Sequence, residues 1–193
     1  PERDGQGKVI GLNRRFPDGR KLHLAGGGRG LTLPEGWADL PGPVYCVEGP
    51  TDTMAVWSAG LCAIGRPSNR GGVGFLNEIM DRTASNRPLV IVGENDRKAG
   101  GLWPGLIGAV AVAGELKVKN PVHWCLAPAD YKDVREFLTG ERFTGMTWKL
   151  RGDILEAELA ENSFPARHVP EGYQRYVDSL AKEVGYDESK WRY

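Results

Sequence analysis

Pro88-Leu-Val-Ile-Val-Gly-Glu94-Asn95-Asp96 decides how the rest of the chain is read. Its apolar, β-branched run stops abruptly at two carboxylates spaced two apart, and Lys98, Gly100 and Gly101 follow. A short continuous run of this kind reads as a strand buried on both faces, as in a parallel sheet. Ligands of open α/β sheets bind just beyond the carboxyl ends of the strands, where Glu94 and Asp96 fall. Positions i and i+2 of a strand point to one side, so the two acids are expected to face one spot. Two like charges so placed repel unless a cation joins them, and hard oxygen ligands suit Mg²⁺ or Mn²⁺. Taken alone, the stretch fits equally well two solvated acids in a loop.

The 193 residues allow one sizeable domain, or one domain with a small companion. Basic and acidic residues balance at 25 each, so net charge names no partner. Their distribution is uneven. Residues 1–30 hold seven basic residues against three acidic, while residues 151–193 hold six against nine. Any polyanion contact is therefore expected from the front, unless both ends are simply mixed, solvated surface. Cys46, Cys62 and Cys125 sit singly in apolar runs without a Cys-x-x-Cys pair, and the three histidines are dispersed. A zinc site or disulfide framework is not expected, and a reducing cytoplasm is the natural setting. No apolar run reaches membrane-spanning length. Beginning at Pro1, the chain reads as a piece of a larger protein.

Upstream of the central stretch, Val44-Tyr-Cys-Val47 is another apolar strand, ending at Glu48-Gly49, with a helix expected from Pro50 or Thr51 toward Gly60. Leu61-Cys-Ala-Ile64 is the next strand, and Phe75 to Asp81 a helix with an apolar stripe. Downstream come a helix from about Pro104 to Leu116, a strand at Val122–Leu126, and a helix opening at Tyr131. This alternation predicts an α/β fold: a parallel sheet with helices on both faces. Residues 1–43 form a small basic β-rich subdomain, with Pro17-Asp18-Gly19 as the turn of a hairpin, and the core runs over 44–140. Residues 141–193 form a helical extension, with helices expected at Ile154–Leu159 and Tyr173–Val184.

Acids and cations thus converge on one sheet edge: Glu48 and Asp52, then Glu94 and Asp96, then Lys132 and Asp133, with Lys98, Arg66 and Arg70 nearby. With these motifs the chain resembles the Toprim domain of bacterial and phage-type DNA primases. Glu48-Gly49 matches the family's Glu-Gly at a strand end, and Asp52 the additional acid of primase-like members. Glu94-Asn95-Asp96 matches its Asp-x-Asp, with Glu in place of the first Asp and one extra residue at Arg97-Lys98 before the Ala-Gly. Lys132-Asp133-Val-Arg-Glu-Phe-Leu138 resembles a later primase segment. More weakly, Gly7 to Arg14 and Asp18 to Lys21 resemble the basic subdomain that precedes Toprim in primases.

The resemblance implies metal-dependent synthesis of RNA primers on single-stranded DNA from ribonucleoside triphosphates, in a phage or mobile-element replication protein with a replicative helicase as partner. It implies Mg²⁺ or Mn²⁺ held by Glu94, Asp96, Asp52 and Asp133, with Glu48 and Asp52 catalytic. Lys98, Arg70, Arg66, Lys132 and Gly49 would meet phosphates, and Arg14, Arg15, Arg20 and Lys21 the template backbone. Two other functions stay open: a Toprim nuclease using the same acids, and a catalytically degenerate module that binds DNA or a helicase. Plainer readings also stand for single residues: a solvated hairpin face for the front arginines, a helix start for Lys132-Asp133, and a solvated loop for Arg66 and Arg70.

Overall fold

The structure is a computed structural model describing residues 1–83 and 86–184, apart from the side chains of Lys21 and of residues 179–184. Its centre is a five-stranded sheet of order β6-β5-β7-β8-β9. Four strands are parallel: β5 (Val44–Glu48), β6 (Ala63–Arg66), β7 (Leu89–Gly93) and β8 (Val122–Leu126). The two-residue β9 (Phe164–Pro165) pairs antiparallel with β8 at the edge. The central strand β7 is buried along its whole length, which is why its sequence runs apolar without alternating.

Helices cover both faces, as the alternation of elements predicts. On one face α2 (Val73–Arg82), α3 (Pro104–Glu115) and α6 (Glu171–Val184) pack on Cys46, Ile64, Ile91 and Trp124. On the other, α1 (Gly49–Ser58), α4 (Val134–Thr139) and α5 (Trp148–Glu161) pack on Tyr45, Val47, Val90 and Val92. Alternate residues of β5 and β7 therefore feed two separate cores, each filled from its own helices. Truncating a fully buried member such as Ile91 to alanine costs roughly 2–5 kcal/mol. All three cysteines are buried and unpaired, and burial pushes the Cys125 thiol up to about 12.

The front segment forms two short antiparallel ribbons, β1 (Glu2–Arg3) with β2 (Val9–Gly11) and β3 (Asn13–Arg15) with β4 (Lys21–His23). It is tied to the core through Leu31, which is fully buried, and through Thr32, which exchanges two backbone hydrogen bonds of 2.9 Å with Gly65 of β6. No helix among the described residues is long and apolar enough to cross a membrane.

Two helix starts and one strand show where the structure departs from the expectation and why. The helix expected at Ile154 begins at Trp148, because Thr147 caps it by accepting from Leu150 N. The helix expected to open at Tyr131 begins at Val134, because Asp133 is its cap and lies outside it. Strand β9 was not foreseen, since two residues containing a proline give no periodic signal.

Candidate active site

At the carboxyl ends of β5, β7 and β8 the chain leaves the sheet in three turns, and each delivers acids to one place. Gly49 makes the first turn, with a φ of 72° that only glycine adopts without strain. This lets the chain pass directly from Glu48 into α1, whose first turn carries Asp52. Glu94 follows β7 immediately, and Asp133 ends the longer connection after β8. Carboxylate oxygens of Asp52, Glu94 and Asp133 all lie within 4.8 Å of one another. Glu48 lines the same small pocket, whose floor is Val47, Val92 and Val134.

The site is electrostatically tense. The Asp52 and Asp133 side chains are only 7% and 5% exposed. Burial first, and the Asp133 carboxylate second, push Asp52 from 3.8 to about 7, against the pull of Arg135. Burial and then Glu94 likewise raise Glu48, with Arg66 pulling the other way. Two cations at the rim offset part of this. Arg135 stands 3.5 Å from Asp52 and 3.4 Å from Asp133, and Lys132 Nζ lies 3.2 Å from Glu94. Burial works to lower the Lys132 pKa, but the Glu94 carboxylate and its hydrogen bond outweigh it and the ammonium is held above its ordinary value. Three hard oxygen donors so close, two of them buried, form a set that fits a divalent cation of the Mg²⁺ or Mn²⁺ type.

Asp96 takes a different position from the one its spacing suggests. Strand β7 ends at Gly93, so the alternation that would align Glu94 with Asp96 has already stopped. Asp96 Oδ1 instead accepts from Gly105 N of α3 at 2.9 Å, and its other oxygen lies 3.3 Å from Lys98. Backbone crowding fixes the turn: a Cβ on Gly93 would land on Gly105 O, and one on Gly105 would land on Glu94 O. Asn95 N adds a 2.6 Å bond to Lys132 O, which locks the β7 and β8 connections together.

Arg66 is 1% exposed at the end of β6, opposite Glu48 in register, and its guanidinium donates to Asn69 O and to Val92 O at 2.9 Å. Arg70 pairs with Glu115 at 3.8 Å. Arg14 and Arg20 each lie over the Phe16 ring, 4.7 and 5.0 Å from its centre, and Arg20 pairs with Asp18. Arg15 is exposed on the same ribbon, while the Lys21 side chain lies outside the described residues. Sequence reading passed over Arg135. The signal available was its place two residues after Asp133, in the first turn of a helix whose cap is itself a site acid.

No family model matches the chain, and no curated protein does. Solved structures do. The chain is similar to the DnaG primase catalytic domain bound to ssDNA, with a TM-score of 0.59 and 17% identity over 98% of this chain and 64% of that one. It is similar to the DnaG catalytic core at TM-score 0.58 and 18% identity, over 100% and 71% of the two chains. The RNA polymerase domain of Mycobacterium tuberculosis primase DnaG follows at 0.55 and 18%, over 96% and 59%. The chain thus spans 64% of the length of the first of these structures. The likeness is one of fold: a mostly parallel five-stranded sheet between two helical layers, preceded by small antiparallel strand pairs, matches the primase catalytic core.

Proposed function

We propose that the chain is a Toprim-type catalytic fragment of a DNA primase, joining ribonucleotides into RNA primers on single-stranded DNA with Mg²⁺ or Mn²⁺. The observation that carries this reading is the approach of Asp52, Glu94 and Asp133 to within 4.8 Å at the carboxyl edge of a sheet of primase type. Asp52, Glu94 and Asp133 would hold the cation, which when bound neutralises charge on triphosphate oxygens. Glu48, raised by burial and by Glu94, is suited to hold or release a proton beside that cluster. Lys132 and Arg135 offset part of the repulsion among the acids, and Asp96 keeps Lys98 at the rim, 58% exposed, where it would meet a phosphate. Arg14, Arg15 and Arg20 on the exposed ribbon would track the template backbone without reading its sequence. On this reading residues 1–43 are the template-facing part, 44–140 the catalytic domain and 141–193 a helical extension. A replicative helicase in the cytoplasm is the expected partner.

Incubation with single-stranded template, labelled ribonucleoside triphosphates and Mg²⁺ or Mn²⁺ tests the reading. Labelled oligomers that vanish with Asp133→Asn support it. Template breakdown without synthesis would make the chain a nuclease, and neither product with either metal would make it a non-catalytic module.

A further inference from the structure

Each of the three acids that approach within 4.8 Å already faces a cation of the chain's own. Lys132 Nζ lies 3.2 Å from Glu94, and Arg135 stands between Asp52 and Asp133, at 3.5 Å and 3.4 Å. Two single charges match the charge of one divalent ion, so the side-chain cations and a metal are alternative ways to neutralise the same carboxylates. The two sets cannot fully share them. Asp133 uses Oδ1 for the cap of α4, accepting from Glu136 N at 2.7 Å, and its other oxygen is the one that Arg135 approaches. A divalent ion on that oxygen would meet a guanidinium facing the same atom, and like charges at such range repel.

Arg135 is held in a way that permits it to leave. Its contacts are longer than the roughly 2.7–3.2 Å of ordinary N–H···O bonds. They also go to two different carboxylates, not to both oxygens of one in a bidentate fork. The backbone beneath is fixed, because Val134 and Phe137 are buried and Thr139 Oγ1 donates to Arg135 O at 2.8 Å. The side chain itself is 44% exposed. A long unbranched stem anchored in this way can turn its guanidinium toward solvent without disturbing the core. Arg66, at the end of β6, has no such freedom, being sealed in and donating to Asn69 O and Val92 O.

We propose that Arg135 is a triphosphate-binding group released by metal: its guanidinium covers Asp52 and Asp133 in the metal-free protein and passes to the substrate's phosphates once a divalent cation holds those acids. The choice of anion rests on the nucleotide chemistry proposed above, while the exchange with metal rests on the contacts alone. A guanidinium suits both posts, since its planar fork of donors fits phosphate as well as carboxylate. Metal and triphosphate would then bind with positive coupling, each favouring the state in which the arginine is free of the acids.

Calorimetry with Mn²⁺ alone compares the full chain with Arg135→Gln. Removing the competing charge should tighten Mn²⁺ binding about threefold or more. A static arginine that merely holds the acids in place predicts weaker binding, and that result would overturn the proposal. In the native chain with uniform ¹⁵N labelling, the Arg135 Nε–H resonance is identified by its absence from Arg135→Lys. It should shift saturably with Mg²⁺, and shift again when a ribonucleoside triphosphate is added in excess Mg²⁺. A resonance unmoved by Mg²⁺ would also overturn the proposal, whether or not the glutamine variant folds. In excess Mg²⁺, Arg135→Gln should bind the triphosphate about tenfold more weakly than the native chain, the loss expected of one charged hydrogen-bonding partner. In chelator the two should bind it within about twofold of each other. Equal affinity in Mg²⁺ would overturn the proposal. Triphosphate binding that needs Arg135, without primer synthesis, would leave the proposal standing and remove the primase reading, whereas synthesis by Arg135→Gln at the native rate would do the reverse.

Discussion

Asp52 is 7% exposed and shares its pocket with Asp133 and Glu94, so keeping it ionised costs the folded protein free energy. Its folded-state pKa is raised from 3.8 to about 7, first by burial and then by Asp133. Folding therefore takes up a proton between those two values. The sign is the reverse of the usual salt-bridged aspartate: stability is highest at low pH and is lost as pH rises through about 7. At ~1.4 kcal/mol per tenfold change in proton affinity, the full penalty above neutrality is about 4 kcal/mol. Asp52→Asn removes it, and discounting the partner lost by the half-exposed Arg135 leaves a gain of about 1–3 kcal/mol for the metal-free protein. Urea unfolding in chelator, at points between about pH 5 and about pH 8, measures this gap. The variant should lead by most at the alkaline end, and its lead should shrink steadily toward pH 5. Added Mn²⁺ should then stabilise the native protein more than the variant, because only the native protein retains all three carboxylates. A lead independent of pH, or a variant less stable throughout, would refute the claim that burial and like charge set the Asp52 pKa.

Three further outcomes are expected. Gly105→Ala should destabilise by roughly 1–3 kcal/mol and weaken divalent-metal binding by calorimetry, because its Cβ would displace Glu94 O; helix propensity alone predicts a gain of about 1 kcal/mol, so the sign decides. Asp133→Asn and Asp133→Ala should both lose metal binding, but only the alanine should forfeit the α4 cap bond to Glu136 N, leaving it about 0.5–2 kcal/mol less stable than the asparagine by thermal unfolding. Replacing Arg14 and Arg15 together by glutamine should lower the salt slope of single-stranded DNA binding by about 1.4, measured by fluorescence anisotropy, with little dependence on base sequence.

The parallel sheet was legible because β5, β7 and the helices between them each carry a pattern confined to a few consecutive residues. Glu48, Asp52 and Glu94 were legible because each sits within a turn of a strand end, and Asp133 because it stands at a helix start after the next strand. What escaped depended on contacts distant in sequence. The carboxylate of Asp96 turns to α3 because Gly93 and Gly105 bring two backbones into contact, and no local spacing announces that approach. Arg66 reads as a loop cation, yet it is buried because two carbonyls, one of them 26 residues away on β7, accept its protons. The packed rings of Trp103, Trp124, Phe164 and Tyr173 come from four separate stretches of chain, so no window of sequence contains them.

The backbone bonds between Thr32 and Gly65 give the front segment a second role. A five-stranded open sheet has two borders able to pair with another chain. One ends in β9, two residues long and containing Pro165, which offers a newcomer almost no ladder. The other is β6, four buried residues, and there Thr32 occupies the hydrogen-bonding position that an invading strand would take. The front segment is therefore also a guard against self-association. Deleting residues 1–43 would uncover a fresh sheet border, and the remaining fragment would be prone to stack edge to edge.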